Sequence, residues 1–146
     1  QQVSGEKSGH QEVVRVRFDS DKISYANLLQ HYWRNVDPLD GQGQFCDRGD
    51  SYRPVIFTAG ENQAAEAQES VASAASELGI PKSKIKVQIR DAVQFWPAED
   101  YHQNYANNNE LRYRYYRFSC GRDRRLDAVW GERARLGDAW VTPEAN

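Results

Sequence analysis

Residues 54–90 read PVIFTAGENQAAEAQESVASAASELGIPKSKIKVQIR and contain a strand, a helix and a second strand in one run. The apolar stretch 54–58 (PVIFT) has the length of a buried strand. Residues 61–78 are rich in alanine and are followed by Gly79, which predicts a helix that stops at a glycine. In residues 84–90 (KIKVQIR) every second side chain is apolar, which predicts another strand.

Two further elements precede this unit. In residues 12–18 (EVVRVRF) the apolar side chains again recur with a period of two, which predicts a strand. Ser24 is a favourable N-cap, and apolar residues recur at helical spacing from Tyr25 to Val36. We expect this helix to end before Pro38.

This order of elements predicts an α+β protein. Its plan is a two-layer α/β sandwich, in which helices pack on a ferredoxin-like mixed sheet. The first strand of that plan would lie upstream of Gln1, so we expect the domain to be incomplete at its N-terminus. We assign residues 1–130 to this single domain and residues 131–146 to a C-terminal tail, which is anchored by at most one ring, that of Trp140.

Composition limits the classes of function. The 146 residues carry a net charge of −2, which argues against a protein that binds nucleic acid through its phosphates. No apolar run has the length of a membrane span, so we expect no membrane partner. Two cysteines are too few for a disulfide scaffold, and they indicate either a reduced cytosolic protein or a redox pair. Of the compartments that this leaves, the cytoplasm is favoured.

A long loop, residues 37–53 (DPLDGQGQFCDRGDSYR), joins the first helix to the PVIFT strand. Loops of this length in a compact domain are usually functional or disordered, and its ionisable and aromatic residues favour a function. A turn at Gly49 would bring Asp47 and Tyr52 toward one point, where a phenol and a carboxyl could bind a partly negative oxygen. A salt-bridged structural loop explains the same residues.

Glu12 stands at the head of the first predicted strand, directly before two valines. If the strand removes water from this carboxyl, its pKa rises and the group becomes a proton donor near neutral pH. An ordinary carboxylate in water at a strand end is the alternative.

Residues 95–105 (FWPAEDYHQNY) hold four aromatic rings, two carboxylates and a histidine, as the wall of a site would. We expect Trp96 and Tyr101 to pack behind the pocket and His102 to form a supporting hydrogen bond there. We expect no metal site, because the chain has neither a two-histidine spacing nor a cysteine cluster.

These clusters resemble the peptide methionine sulfoxide reductase A family, which acts on the S epimer of methionine sulfoxide. The match runs in order along almost the whole chain. The matching segments are GHQEVVRVRFD (9–19), ISYANLLQHYW (23–33), the DP of 37–38, CDRGDSYRPVIF (46–57), FWPAEDYHQNY (95–105) and YRFSCGRD (116–123).

The resemblance implies an oxidoreductase that repairs oxidised proteins without a bound cofactor. In this family a cysteine thiolate attacks the sulfoxide sulfur and becomes a sulfenic acid, a second cysteine closes a disulfide, and thioredoxin or a similar dithiol reduces that disulfide. Residue by residue, Glu12 matches the proton donor, and Asp47 and Tyr52 match the residues that hold the sulfoxide oxygen.

One departure concerns the nucleophile. The GCFW motif that carries it in the family is absent from these 146 residues, so we expect the chain alone to be inactive. Cys120 and Cys46 are the only candidates for the resolving cysteine, and a small buried hydrophobe is the simpler interpretation of each. Three explanations compete: a reductase whose N-terminal segment resides elsewhere, a natural module that binds methionine or its sulfoxide, or a fold relative with another reaction. The polar, methionine-free start favours the first.

Overall fold

The computed structural model describes residues 10–141. Their regular elements are α1 (Tyr25–Trp33), β1 (Gly43–Gln44), β2 (Asp47–Arg48), β3 (Val55–Thr58), α2 (Glu61–Leu78), β4 (Gln88–Asp91), α3 (Tyr105–Asn108), α4 (Glu110–Ser119) and α5 (Arg122–Trp130). Short 3-10 turns cover Asp50–Tyr52, Lys82–Lys84, Asp100–His102 and Gly131–Arg133. The fold is α+β, as the sequence predicts.

The β3–α2–β4 unit forms the centre of the molecule. β3 and β4 run parallel, with Val55 opposite Gln88 and Thr58 opposite Asp91. Parallel neighbours need a long crossover, and α2 provides it. This helix has the predicted bounds and ends at Gly79, whose left-handed backbone lets its N–H reach the carbonyls of the last turn.

α1 packs on α2 and supplies the largest core side chain. Ser24 caps α1 as predicted, because its hydroxyl accepts a hydrogen bond from the Asn27 amide at 3.0 Å. Trp33 is fully buried, and its indole N–H donates to the Ser70 hydroxyl of α2 at 2.9 Å. The buried apolar cluster comprises Leu29, Trp33, Ile56, Ala67, Ala74, Val87, Leu126, Trp130 and Ala134.

The strand predicted over residues 12–18 is wrong for this structure. These residues form no ladder within the described part of the chain, and Val14 is 87% exposed. A strand requires a hydrogen-bonding neighbour, and the backbone contact recorded for this stretch is a single bond from the Glu12 amide to the Ser51 carbonyl.

The sheet also differs from the predicted single mixed sheet. Within residues 10–141 the strands form two separate pairs, antiparallel β1–β2 and parallel β3–β4. The strand predicted over 84–90 begins only at Gln88, because the Lys86 amide bonds to the Pro38 carbonyl instead of to β3.

The segment after α5 is anchored by more than the single ring expected of it. Ala134 lies in the core, and the guanidinium of buried Arg34 donates to the backbone carbonyls of Leu136, Asp138 and Ala139. The Trp140 ring lies against Arg34 and Trp130, as expected for an anchor. The part of this segment up to Val141 therefore packs as an extension of the domain.

Among residues 10–141, none of the helices combines the length and the apolar character that crossing a membrane requires.

Candidate active site

Asp47 is presented by a short hairpin, residues 43–48, which we call the site hairpin. Strands β1 and β2 pair Gly43 with Arg48 and Gln44 with Asp47. The side chain of Gln44 accepts from the Asp37 amide at 2.9 Å and donates to the Asp37 carbonyl at 2.8 Å. Asp37 is buried, and its carboxylate binds Arg125 of α5 at 2.7 Å. The site hairpin is thereby fixed to the loop that follows α1 and, through Asp37, to α5.

Asp47 contacts a residue that the sequence did not single out. The hydroxyl of Tyr116, on α4, donates a hydrogen bond to the Asp47 carboxylate at 2.5 Å. Loss of solvent around the phenol raises the pKa of Tyr116, and the Asp47 carboxylate raises it further. The phenol therefore remains a donor at every physiological pH.

Tyr52 lies on the same side of the molecule. It ends the 3-10 turn Asp50–Tyr52, where its amide bonds to the Gly49 carbonyl at 3.1 Å, and it is half-buried. The Tyr52 phenol is close enough to add to the upward shift in the pKa of Tyr116. The turn at Gly49 thus brings Asp47 and Tyr52 into one neighbourhood, as the loop sequence predicted.

Glu12 joins this neighbourhood through its backbone. The Glu12 amide donates to the carbonyl of Ser51 at 2.8 Å, and Ser51 is the residue directly before Tyr52 in the turn. The Glu12 side chain is exposed. The predicted burial of Glu12 by a strand is wrong for this structure, because residues 13–17 do not cover it, and its role as a proton donor stays a prediction.

The two cysteines are joined in a disulfide. Cys46 of the site hairpin bonds to Cys120 at the end of α4, with the Cα atoms 5.3 Å apart. The sequence alone could not predict this disulfide, because 74 residues separate the two cysteines. The bond excludes two separate buried thiols in this structure, and a redox role for the pair stays a prediction.

An open cleft lies beside the disulfide. Its volume is about 950 Å³, and its wall includes Cys46 and Cys120 together with Phe45, Arg53, Lys86 and Arg125. Arg125 is engaged by Asp37, and Arg53 binds Asp50 at 2.9 Å. The cleft is therefore polar, and one of its walls is the disulfide.

The aromatic stretch 95–105 does not pack as expected. Trp96 is 63% exposed and Tyr101 is 67% exposed, so neither ring packs behind a pocket in the described structure. His102 approaches the Glu99 carboxylate at 3.7 Å and lies against the Tyr101 ring at 4.1 Å between centroids. The expectation of buried support is wrong because no described element covers these rings. Phe95 is half-buried and receives the guanidinium of Arg15 at 4.4 Å.

Tyr116 is the contact of Asp47 that the sequence did not predict. The sequence signal for this contact is the spacing of Tyr116 and Cys120, which places both residues on one face of a helix.

Within residues 10–141 there is no group of three or more metal-ligating side chains.

Comparison with known proteins places this chain in a family. A sequence profile described as "Peptide methionine sulfoxide reductase" matches residues 1–134. The chain belongs to the peptide methionine sulfoxide reductase family. The resemblance drawn from the clusters 9–19, 46–57 and 95–105 is thereby confirmed.

Curated relatives specify the A class of these reductases. The chain is 49% identical over 131 residues to "Peptide methionine sulfoxide reductase MsrA 2" of Rhizobium meliloti, covering 90% of this chain and 65% of that protein. It is 48% identical to the MsrA 2 of Caulobacter vibrioides, covering 88% of this chain and 64% of the relative. The chain thus spans somewhat less than two thirds of the length of these MsrA proteins.

A solved structure supports the fold of this reductase family member. The crystal structure of Mxr1 from Saccharomyces cerevisiae in reduced form superposes with a TM-score of 0.69 at 27% identity. The superposition covers 74% of this chain and 58% of Mxr1.

Proposed function

We propose that this chain carries the oxygen-binding and proton-donating part of a reductase for methionine-S-sulfoxide, free or in oxidised proteins. The observation that carries the proposal is the meeting of Asp47, Tyr52 and the Glu12 backbone around the Gly49 turn. The family membership supplies the reaction class.

The chemistry of the sulfoxide explains the need for these groups. Its oxygen bears partial negative charge, and phenol and carboxyl groups fixed beside it stabilise the charge that grows as the S–O bond weakens. Tyr52 and Asp47 hold that oxygen, and Glu12 donates a proton to it. A thiolate attacks the sulfur, the sulfoxide is reduced by two electrons to methionine, and the thiol becomes a sulfenic acid. A resolving thiol converts the sulfenic acid to a disulfide and releases water.

In this proposal the nucleophilic thiol belongs to neither of the two cysteines of this chain. In this structure Cys46 and Cys120 are bonded to each other, so neither sulfur is a thiolate. We assign them to the resolving stage, with thioredoxin or a similar dithiol in the cytoplasm as electron donor. A separate N-terminal segment that carries the nucleophile completes the reaction in this proposal.

A second candidate function follows from the same disulfide. If no nucleophile reaches the site, the chain acts as a module that binds methionine sulfoxide without reducing it.

One pair of measurements tests both. The 146-residue chain is incubated with N-acetyl-methionine-S-sulfoxide and dithiothreitol, and methionine formation is followed; binding of the same compound is followed by NMR. We expect binding that favours the S epimer and no turnover. The Asp47→Ala variant, which removes the hydrogen-bonding group, is expected to lose binding. Turnover that disappears in Cys46→Ser or Cys120→Ser would make that cysteine the nucleophile and overturn the proposal. A chain that binds neither epimer would sink both candidates.

A further inference from the structure

The hydrogen bond between Tyr116 and Asp47 joins two elements that a covalent bond also joins. Asp47 directly follows Cys46 in the site hairpin. Tyr116 lies one helical turn before Cys120, and the Cys120 amide bonds to the Tyr116 carbonyl at 2.9 Å. The disulfide and the hydrogen bond are therefore parallel links between the same hairpin and the same helix.

The hydrogen bond alone is not expected to hold these elements together. Tyr116 is an exposed side chain and Asp47 is half-buried, so water competes for both groups. Polar pairs near the surface contribute little to stability, because fixing both side chains in one geometry costs conformational entropy. A covalent link removes that cost, because it raises the effective concentration of the phenol at the carboxylate.

The contact fixes the carboxylate that the proposed function places at the sulfoxide oxygen. A donor on one oxygen of the Asp47 carboxyl limits rotation of the group, and the other oxygen binds the sulfoxide oxygen in the protonated form of the acid, in which it carries the O–H that donates. Tyr116 contacts Asp47 from α4, and the Tyr52 phenol lies near enough to Tyr116 to raise its pKa further, so the two phenols and the carboxyl share one neighbourhood.

The disulfide that supports this arrangement is open to reagents. Cys46 is exposed, and both cysteines form part of the wall of the 950 Å³ cleft. A dithiol entering the cleft can reduce it in a balanced exchange. A thiolate of the dithiol attacks one sulfur and the other leaves as thiolate. The second thiol of the dithiol then releases the first sulfur, so that two cysteine thiols form and the dithiol becomes a cyclic disulfide.

We propose that Tyr116 is a positioning residue for Asp47 and that the Cys46–Cys120 disulfide holds the two in register, so that the oxygen site binds its ligand most tightly when the disulfide is closed and more weakly, but still measurably, in the reduced state that a resolving cysteine requires. The proposal rests on the proposed function for the identity of the ligand. The link between the disulfide and the hydrogen bond is independent of the proposed function.

The first measurement follows that link without any ligand. The full chain is labelled with ¹³C at the ζ carbon of tyrosine, the Tyr116 signal is assigned with Tyr116→Phe, and its titration is recorded with the disulfide closed and after reduction by dithiothreitol. Because the Asp47 carboxylate contributes to the raised pKa of Tyr116, we expect ionisation at lower pH after reduction. The Cys46→Ser/Cys120→Ser chain should behave like the reduced protein. An unchanged Tyr116 titration would overturn the link.

The second measurement is the affinity for N-acetyl-methionine-S-sulfoxide in the same states. A hydrogen bond to a charged group corresponds to a change of about tenfold in affinity, and this is the loss we expect on reduction. Tyr116→Phe should lose about the same factor with the disulfide closed and lose nothing more on reduction, because the two changes remove one shared effect.

Tyr115→Phe is the matched control, since Tyr115 is the neighbouring residue on α4 and is 74% exposed. It should retain both the affinity and the redox effect. The indole signal of buried Trp33 reports in each variant whether the protein is folded. A full redox effect in Tyr116→Phe, or an equal loss in Tyr115→Phe, would overturn the positioning role. If the closed protein binds no sulfoxide, the proposed function fails, and the tyrosine titration still decides the link.

Discussion

Arg34 and Glu77 form a buried, two-bond ion pair between α1 and α2. The Nε and Nη2 atoms of Arg34 bind the two oxygens of Glu77 at 3.0 and 2.6 Å, and Arg34 is fully buried. The same guanidinium reaches the carboxylate of Asp138 at 2.8 Å. One cation thus connects two helices to the segment that follows α5.

Removal of Glu77 is expected to destabilise the protein strongly. Glu77→Ala leaves the Arg34 charge buried without its main partner and also deprives the Val141 amide of its acceptor. We expect the free energy of unfolding in urea to fall by about 3–5 kcal/mol. Arg114→Ala removes an exposed ion pair with Glu110 and serves as the control, with an expected change within about 0.5 kcal/mol. Equal losses in the two variants would contradict a special role for the buried pair.

Gly43→Ala should disturb the site hairpin. A Cβ atom at Gly43 would lie 2.2 Å from the Asp47 carbonyl oxygen and 2.9 Å from the Arg48 Cα, both backbone atoms that cannot turn aside. We expect a loss of about 1–3 kcal/mol in unfolding free energy, together with weaker sulfoxide binding. Gly41→Ala meets only the Lys86 side chain, at 3.3 Å, and should change both quantities less. Normal binding by Gly43→Ala would show that the hairpin geometry is not needed.

Alkaline pH should weaken the fold through Tyr32. Burial raises the pKa of Tyr32 above its ordinary value near 10. A group with a raised folded pKa stabilises the protein fully below its unfolded pKa, and this contribution is lost as pH rises toward the folded value. The unfolding free energy should therefore fall above about pH 10, by up to about 1.4 kcal/mol per pH unit for this one proton. Tyr32→Phe should flatten the slope and Tyr115→Phe should not; equal slopes in all three proteins would refute the assignment.

Glu12→Gln tests the proton donor. In a polypeptide that joins this chain to a segment bearing the nucleophilic cysteine, the amide should lower the rate of methionine formation by about 10²–10⁴-fold. The dissociation constant for the sulfoxide should change little, because protonation matters chiefly in the transition state. Asp21→Asn, which alters another exposed carboxylate, is the control. Equal losses in rate and in affinity would argue against a general acid.

Local signals predicted the central unit well. The bounds of α2 agree because Gly60 and Gly79 flank an alanine-rich run, and Ser24 caps α1 through contacts within four residues. The Asp47–Tyr52 neighbourhood followed from the single turn at Gly49. Each of these features depends on residues close together in the chain.

Features that depend on distant partners were missed. The alternation in residues 12–18 is real, but a ladder also needs a neighbouring strand. The disulfide and the Tyr116–Asp47 bond join positions 74 and 69 residues apart, so they exist only once α4 has packed beside the site hairpin. The rings of residues 95–105 were expected inside because of their composition, yet the described structure leaves Trp96 and Tyr101 uncovered.

The disulfide also makes a closed covalent ring of the segment from Cys46 to Cys120, which contains β3, α2 and β4. The exposed stretch around Trp96 and Tyr101 lies within that ring, so a protease that cuts there opens the ring without dividing the protein. On a gel the nicked chain should migrate as one species until a reductant is added, and then as two fragments. Under oxidising conditions, therefore, a single cut in this exposed stretch leaves the two cysteine-bearing portions of the protein physically attached.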